Sequence, residues 1–257
     1  MFIGGLQKFT LIDYPGKIAA VVFLAGCNFR CPFCHNPELV EMRNARNENF
    51  RSPQQIPEKD FFKFLKSRRD DLDGVCITGG EPTLSPELFD FVKKIKDLGF
   101  LVKVDTNGSN PEMIKKLIAG KLVDYWAMDI KTAPGKYRLV LGYKAENEIV
   151  GNENLRSLRE NLEKSVKLIA NSGTEYEWRT TMAPTIVDKN DILKIIEWMN
   201  KINPGALKNA SRYAFQQFRP GRILDPDFGK LKPYSDGEIK KTAELLKPHC
   251  RKVAVLI

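Results

Sequence analysis

Three cysteines in one short stretch constrain this chain more than any other feature of its sequence. Cys27, Cys31 and Cys34 lie close together and directly follow the apolar run 18–24. That run has the length and the β-branched content of a buried strand. We therefore expect three thiols in one loop that leaves the end of a strand, with no fourth cysteine near them in the sequence.

Several kinds of site are compatible with three thiols in one loop. A structural zinc ion takes four protein ligands, so His35 would have to complete the set from the position directly after Cys34. A disulfide with a spare thiol is another alternative, although the N-terminus shows no secretion signal that would indicate an oxidising compartment. A [4Fe–4S] cluster held by three cysteines keeps one iron open for another ligand. The odd total of five cysteines favours reduced thiols and a metal.

A second motif, Thr78-Gly79-Gly80-Glu81-Pro82, follows the short apolar strand predicted over residues 74–77. Paired glycines let a ligand approach the backbone closely, and a neighbouring carboxylate can bind an ammonium group. Alone, such a motif is an ordinary turn. Its meaning comes from its position after the cysteine loop, at the end of the next predicted strand.

Together the two motifs resemble those of the radical S-adenosylmethionine (SAM) superfamily. The loop is similar to its CxxxCxxC signature, including the aromatic Phe33 before the third cysteine, and the second motif is similar to its GGE motif. The resemblance implies a [4Fe–4S] cluster whose three protein ligands are Cys27, Cys31 and Cys34, with SAM on the fourth iron. It also implies binding of the SAM ammonium group by Gly79, Gly80 and Glu81.

The resemblance further implies the chemistry of the site. An electron donor such as flavodoxin or ferredoxin reduces the cluster, and reductive cleavage of SAM gives a 5′-deoxyadenosyl radical. That radical takes a hydrogen atom from the substrate. The cofactors carry the difficult chemistry, while the protein supplies binding, orientation and exclusion of water.

Polar side chains after later strands extend the predicted SAM site. Asp105, Thr106 and Asn107 follow the third strand and offer groups for ribose hydroxyls or a monovalent cation, although alone they indicate only a turn. Asp129 and Lys131 are two residues apart, so both lie on the same side of a strand. This stretch resembles the DLK sequence of glycyl-radical activating enzymes, where both side chains meet SAM.

Three further residues were weighed as members of the site. Arg179, on the fifth predicted strand, would reach the SAM carboxylate, with a surface salt bridge as the alternative. Cys76 lies inside a predicted buried strand and is interpreted as core. Cys250 is far from the loop in sequence and is interpreted as an inert thiol, with a redox or metal-binding residue as the alternative.

Strands and helices alternate along most of the chain. Six strands are predicted at 18–24, 74–77, 100–104, 123–128, 175–181 and 212–217, with a final strand at 252–257. Helices are predicted at 57–70, 86–98, 111–119, 152–171, 190–201 and 236–246. Residues 40–56 and 132–150 are interpreted as loops. This alternation predicts an α/β fold with a parallel sheet, and the motifs all follow strands, where barrel-like α/β folds place their active sites.

The predicted fold is therefore a partial (β/α)6 barrel, as the resemblance to radical SAM proteins also implies. We expect one radical SAM domain over residues 1–257. It would comprise an N-terminal segment (1–17), a barrel core (18–217) and a C-terminal extension (218–257).

Composition limits the environment and the partners of the chain. No stretch approaches the roughly 20 apolar residues of a membrane span, and a cytoplasmic protein is expected. The net charge of +9 comes from 41 Lys and Arg against 32 Asp and Glu spread along the chain. Without basic runs or interleaved aromatic residues, this charge is interpreted as solvated helix faces rather than a nucleic-acid groove. It would also favour docking onto an acidic protein partner.

The residues around the cysteine loop resemble one group within the superfamily. Stretches 11–17, 22–27 and 34–37 resemble the activating enzymes of glycyl-radical enzymes, most closely those of anaerobic ribonucleoside-triphosphate reductase. The resemblance is strong over residues 6–132 and implies that the hydrogen donor is a backbone glycine of that reductase. The turn 13–16 is expected to line the entrance for the partner. Residues 216–219, Gln-Gln-Phe-Arg, depart from pyruvate formate-lyase activators, which have a histidine there.

Two other functions stay open on the sequence alone. One is a radical SAM enzyme that acts on a small molecule or RNA, which would make its product without a glycyl-radical partner. The other is a zinc or electron-transfer binding module, which would not turn over SAM. The sequence does not identify the electron donor or the oligomeric state.

Overall fold

The computed structural model of the protein describes residues 1–40, 54–142 and 152–256. Parts of the predicted loops 40–56 and 132–150, and the last residue of the final predicted strand, lie outside the described residues. Contacts divide the chain into two compact units. The first comprises Met1–Asn28, Asn36–Thr106 and Glu112–Trp126, and the second comprises Phe29–His35, Asn107–Pro111 and Ala127–Ile257. Each is described by itself, and the single domain with its three segments stays a prediction.

The first unit is built on a mostly parallel sheet. Its described strands are β1 (Ile3–Thr10), β2 (Ala19–Leu24), β3 (Gly74–Gly79), β4 (Leu101–Thr106) and the start of β5 (Tyr125–Asp129). β1 pairs antiparallel with β2, while β2, β3 and β4 are parallel and lie in chain order. The ends of β2 and β3 are aligned, because Leu24 pairs with Gly79. The two sequence motifs therefore leave neighbouring strands at the same edge.

Strand β1 is not among the predicted strands. Its two glycines, Gly4 and Gly5, weaken the pattern typical of a strand, and it pairs with β2 as an antiparallel addition. Thr10 pairs with Ala19, so residues 11–17 lie beside the start of β2, whereas Cys27 follows its end. The expectation that the turn 13–16 lines the entrance at the strand ends is therefore wrong.

The helices of the first unit follow the predicted pattern closely. They are α1 (Pro37–Val40), α2 (Glu58–Ser67), α3 (Leu88–Asp97) and α4 (Pro111–Ala119). In α3 the apolar residues at helical spacing are all buried: Leu88, Phe91, Val92 and Ile95. Gly99 ends this helix with φ +92° and donates its N–H to the Lys96 carbonyl oxygen at 2.8 Å. The predicted glycine stop is confirmed.

The second unit continues the alternation of helices and parallel strands. Its described elements are the end of β5, α5 (Asn152–Ala170), β6 (Glu175–Met182), α6 (Lys189–Ile202), β7 (Arg212–Gln217), α7 (Asp236–Ala243) and β8 (Val253–Leu256). β6, β7 and β8 are parallel and in chain order. α6 begins at a capping box in which Asp188 accepts the backbone N–H of Asp191 at 2.9 Å.

The predicted α/β class is confirmed, since all predicted strands and helices are present with ends shifted by a few residues. Among the described residues, the unpredicted elements are β1, the short α1 and the 3₁₀ helices Pro82–Leu84, Pro134–Val140 and Phe228–Lys230. The last three residues of the predicted helix 236–246 form a further 3₁₀ helix, Glu244–Leu246. No helix in the described part of the chain is long and apolar enough to cross a membrane.

Candidate active site

In the first unit, the second motif holds the backbone that leads into Cys27. The Gly80 N–H donates to the Leu24 carbonyl oxygen at 2.8 Å, and the Glu81 N–H donates to the Gly26 carbonyl oxygen at 2.8 Å. A Cβ atom on Gly80 would lie 2.2 Å from that same Gly26 oxygen. The glycine is required here by close packing of protein backbone.

Gly79 must also be a glycine, for a conformational reason as well as a packing one. Its φ of +117° is rare for residues with a side chain, and a Cβ atom there would lie 2.4 Å from the Leu24 carbonyl oxygen. The paired glycines therefore have a packing role that the sequence analysis did not identify, and the approach of a ligand to their backbone stays a prediction. At the Cβ positions of both glycines, the space is taken by residues 24–26.

Glu81 is an anchoring carboxylate between the ends of β3 and β4. It is only 3% exposed. Its Oε1 atom accepts hydrogen bonds from the Thr83 N–H at 3.1 Å, the Thr83 hydroxyl at 2.5 Å and the Thr106 hydroxyl at 2.8 Å. The Thr83 N–H bond caps the 3₁₀ helix Pro82–Leu84. Two predicted site residues, Glu81 and Thr106, are thus in direct contact.

Asp105 is engaged by a buried lysine for which the sequence analysis gave no role. Lys103 is 1% exposed, and its ammonium group forms an ion pair with Asp105 Oδ1. The sulfur of Cys76 lies 3.7 Å from the Lys103 nitrogen and 3.8 Å from Asp105 Oδ1. Cys76 is fully buried, as predicted for a core residue. A lysine inside an otherwise apolar strand, two residues before an aspartate, was the sequence signal for this pair.

In the second unit, Cys31 lies against the 3₁₀ helix Pro134–Val140. The Cys31 sulfur is 3.9 Å from the Val140 carbonyl oxygen, which also accepts the Arg30 N–H at 2.8 Å. Cys31 is buried and Cys34 is half-buried, and the Cys34 N–H closes a turn onto the Cys31 carbonyl at 3.0 Å. The backbone around Cys31 is therefore fixed by an element that was predicted to be a loop.

The C-terminal extension also holds this part of the loop. The Leu224 N–H donates to the Cys34 carbonyl oxygen, and the Asp225 N–H donates to the Pro32 carbonyl oxygen, both at 3.0 Å. Phe33 is buried, and its ring centroid is 6.2 Å from that of Phe228. These contacts show that residues 224, 225 and 228 of the C-terminal extension support the Cys31–Cys34 segment.

Asp129, Lys131 and Arg179 form one partly buried charged cluster. Asp129 Oδ2 lies 2.9 Å from the Lys131 nitrogen, and Asp129 Oδ1 lies 2.8 Å from Arg179 Nε. Burial disfavours the ionised Asp129 carboxylate, but the charges of Arg179 and Lys131 outweigh burial and hold its pKa well below the usual range. Arg179 thus makes a salt bridge, as in the alternative interpretation, but in a partly buried position and not at the surface.

Lys131 also faces the cysteine loop. Burial disfavours its ammonium form, but the negative charges of Asp129 and Cys31 raise its pKa above the usual value. The Lys131 ammonium group is therefore charged and near enough to Cys31 to favour a thiolate there. By contrast, burial raises the pKa of the Cys250 thiol to about 12, as suits an inert thiol.

Asn107 shapes the turn after β4. Its side-chain oxygen accepts the Ser109 N–H at 2.9 Å, and the side chain is buried. Gly108 has φ +77°, and its carbonyl oxygen accepts the Ser165 hydroxyl at 2.7 Å. The turn predicted from this stretch is confirmed, while binding of ribose or a monovalent cation stays a prediction.

The donor atoms suit an iron–sulfur cluster by their chemistry. All five cysteines are free thiols, and Cys31 has the cation of Lys131 nearby. Among the described residues, no three His, Cys, Asp or Glu side chains are gathered in a preformed metal site. The fit therefore lies in the thiol donors and in the backbone that supports them, and the assignment of the three ligands stays a prediction.

Comparison with known proteins decides the family. The family model of the radical SAM superfamily matches residues 21–199, which include every predicted site residue. The chain belongs to the radical SAM superfamily. The cofactors of this superfamily are a [4Fe–4S] cluster and SAM. The sequence-based prediction of family and cofactors is confirmed.

Relatives place the chain more narrowly. It is 32% identical over 254 residues to a Methanocaldococcus jannaschii protein with the provisional name of a glycyl-radical enzyme activating enzyme, covering 98% of this chain and 95% of the relative. It is 28% identical to the pyruvate formate-lyase-activating enzyme of Clostridium pasteurianum, covering 78% and 76% of the two chains. This radical SAM enzyme therefore belongs with the glycyl-radical enzyme activating enzymes.

A solved structure supports the predicted fold. Escherichia coli QueE superposes with a TM-score of 0.57 at 14% identity, covering 99% of this chain and 92% of QueE. At that identity the similarity concerns the fold alone. Together with the family match, it confirms the partial-barrel α/β fold of the radical SAM type.

Proposed function

We propose that this chain generates a glycyl radical on a partner enzyme, and that the partner is an anaerobic ribonucleoside-triphosphate reductase. The observation that carries the first part is the 32% identity over nearly the whole of both chains to a named glycyl-radical enzyme activating enzyme. The reductase rests on the resemblance of residues 6–132 to reductase activators. Pyruvate formate-lyase is the second candidate partner, because its activating enzymes are among the relatives.

In this proposal Cys27, Cys31 and Cys34 bind the cluster as thiolates. The Lys131 cation stabilises the Cys31 thiolate, and Val140 holds the backbone beside it. When bound, the cluster and SAM supply the 5′-deoxyadenosyl radical that abstracts the hydrogen atom. Glycine suits such abstraction, because its α-hydrogen is not shielded by a side chain.

The remaining predicted residues would bind and orient SAM. Arg179 uses Nε for Asp129, and the positive charge of its guanidinium group suits the SAM carboxylate. We propose that the SAM ammonium group is bound by Gly79, Gly80 and Glu81. The ribose or a monovalent cation would be contacted by Asp105, Thr106 and Asn107, and Phe33 would pack against the cofactors. Asp129 and Lys131 would lie beside SAM as a fixed ion pair, since both side chains are already oriented.

The direct test is an activation assay. Reduced, cluster-loaded protein and SAM are mixed separately with the anaerobic ribonucleotide reductase and with the pyruvate formate-lyase of the same organism. The doublet EPR signal of a glycyl radical on the reductase is the expected result. A signal only on the lyase would overturn the reductase assignment and retain the activating function.

The same assay distinguishes an activating enzyme from a radical SAM enzyme that acts on a small molecule or RNA. If 5′-deoxyadenosine forms while neither partner acquires a glycyl radical, the proposed function fails and a small-molecule or RNA substrate is favoured. Cys31→Ser should abolish both products, whereas Cys250→Ser is the matched control that should retain them. Superfamily membership already counts against a zinc or electron-transfer module. The electron donor and the cytoplasmic location stay predictions.

A further inference from the structure

One buried hydroxyl group near Cys31 has no hydrogen-bond acceptor among the described residues. Tyr137 is 3% exposed, and its hydroxyl proton meets no described acceptor with hydrogen-bond geometry. Burying an unpaired hydroxyl costs free energy, so such groups are few in folded proteins. The described residues contain only two other buried side-chain polar atoms of this kind, Trp126 Nε1 and Gln217 Oε1.

Tyr137 lies on the 3₁₀ helix that supports the cysteine loop. Its ring meets the edge of the Phe29 ring at a centroid distance of 6.3 Å. One residue before it, the Lys136 ammonium group forms a 2.6 Å ion pair with buried Asp191. The same helix ends at Val140, whose carbonyl oxygen accepts the Arg30 N–H. The helix is thus pinned at several points, which holds the Tyr137 ring in place.

The surroundings make the Tyr137 hydroxyl a donor. Burial raises its pKa above the usual value, and the negative charges of Cys31 and Asp129 raise it further, so the hydroxyl keeps its proton. The Lys131 backbone N–H acts as a hydrogen-bond donor toward the Tyr137 oxygen and lowers that pKa, but an N–H offers no acceptor for the phenol proton. The Asp129 carboxylate oxygens are already bonded to Lys131 and Arg179. The hydroxyl therefore has a proton to donate and negative charge nearby.

We propose that the Tyr137 hydroxyl is a positioning group that donates its hydrogen bond to an anionic acceptor brought by the cofactors. The acceptor is either a sulfur atom of the cluster that Cys31 holds or the carboxylate of SAM. This inference rests on the proposed cluster site. It explains why a hydroxyl without an acceptor is retained in the core near Cys31.

Tyr137→Phe removes the donor and keeps the ring that packs against Phe29. In the cluster-free protein this change should leave stability unchanged or raise it, because an unsatisfied polar group disappears. Tyr213→Phe is the matched control: the Tyr213 hydroxyl is also buried but shares a 2.6 Å hydrogen bond with Thr180. The control should be less stable than wild type. A loss of stability in Tyr137→Phe as large as in the control would overturn the inference, since the hydroxyl would then have an acceptor within the protein.

Two measurements on the loaded protein identify the acceptor. Hydrogen bonds to cluster sulfur stabilise the reduced state. If sulfur is the acceptor, Tyr137→Phe should disfavour reduction without SAM by up to tenfold, or about 59 mV for one electron. If the SAM carboxylate is the acceptor, the reduction potential stays unchanged and the Kd for SAM rises five- to tenfold. EPR-monitored redox titration and SAM titration give the two values.

The outcomes also separate this inference from the proposed function. If wild type and Tyr137→Phe hold the same cluster with equal potentials and equal SAM affinity, the inference is overturned and the proposed function stands. If reconstituted wild type holds no cluster, the proposed function fails and this inference fails with it. Iron and sulfide analysis of both proteins distinguishes these cases before any activity is measured.

Discussion

Glu81 offers the sharpest test of how the second motif works. In the structure its Oε1 atom accepts three hydrogen bonds, two from Thr83 and one from Thr106. Both threonines are buried, so Glu81→Ala would remove a charged hydrogen-bond acceptor from two hydroxyls in the protein interior. Hydrogen bonds to a charged group contribute about 1.5–3 kcal/mol each and are not additive, and breaking such a buried network costs about 3–5 kcal/mol.

We therefore expect Glu81→Ala to lower the free energy of unfolding of the cluster-free protein by about 3–5 kcal/mol. For a chain of this length each kcal/mol shifts the Tm by about 2–4 °C, which gives a fall of about 6–20 °C. Glu87→Gln is the control, because that carboxylate is exposed and its hydrogen bonds are local, to Ser85 and to the Glu87 backbone. Thermal and denaturant unfolding measure the effect.

Glu81→Gln separates anchoring from charge. The amide oxygen of glutamine can still accept from Thr83 and Thr106, so this variant should keep most of the stability that Glu81→Ala loses. It lacks the negative charge, and a charge-assisted contact to the SAM ammonium group contributes about 2 kcal/mol, or roughly 30-fold in affinity. SAM titration followed by the EPR signal of the cluster measures that loss.

Two results would refute the two roles assigned to Glu81, which are anchoring the strands and binding the SAM ammonium group. An unchanged Tm for Glu81→Ala would mean that the hydrogen bonds to the two threonines contribute nothing to stability. Wild-type SAM affinity in a stable, cluster-loaded Glu81→Gln protein would mean that the carboxylate only anchors β3 to β4. The ammonium contact would then have to come from backbone groups of the motif.

Three further changes test other parts of the site. Gly80→Ala forces a Cβ atom against the Gly26 carbonyl oxygen, so this variant should incorporate less iron and be less stable. Gly135→Ala is the control, because an added Cβ atom there meets no neighbouring residue within 4 Å. Phe228→Ala removes the aromatic ring that packs against Phe33 in the cysteine loop. It should lower the free energy of unfolding by about 3–5 kcal/mol and make the protein lose iron faster. Unchanged iron retention would mean that this ring does not support the loop. Cys250, with a pKa raised to about 12, should react slowly with iodoacetamide at pH 8, and rapid alkylation by mass spectrometry would contradict its burial.

Much of the fold was predictable because strands and helices carry their own periodicity. The apolar strand β2 and the amphipathic helix α3 with its glycine stop both appear where the sequence places them. β1 escaped prediction because glycines interrupt its pattern and only its pairing with β2 makes it a strand. The 3₁₀ helix Pro134–Val140 escaped because its composition is that of a loop, and tertiary contacts such as Lys136 with Asp191 fix its shape.

The sequence predicted which residues belong to the site but not which residues they contact. A motif shows which chemical groups are available, and it indicated Glu81 and Asp129 for that reason. It does not state that Thr106 will bond to Glu81 or that Lys103 will pair with Asp105, because each depends on the alignment of neighbouring strands. Support of the cysteine loop by residues 224 and 225 uses backbone groups, which leave no signature in the side-chain sequence.

This backbone support determines how cysteine substitutions should be interpreted. The peptide groups next to Cys27 are held by Gly80 and Glu81 in the first unit, and those around Cys31 and Cys34 are held by Val140 and by residues 224–225 in the second. None of these hydrogen bonds uses a cysteine side chain. Replacing a cysteine by serine changes the ligand atom while the backbone bonds that shape the loop stay available. Loss of iron from Cys27→Ser, Cys31→Ser or Cys34→Ser in a protein of unchanged Tm would therefore indicate a lost ligand, whereas a lowered Tm would indicate a disturbed loop.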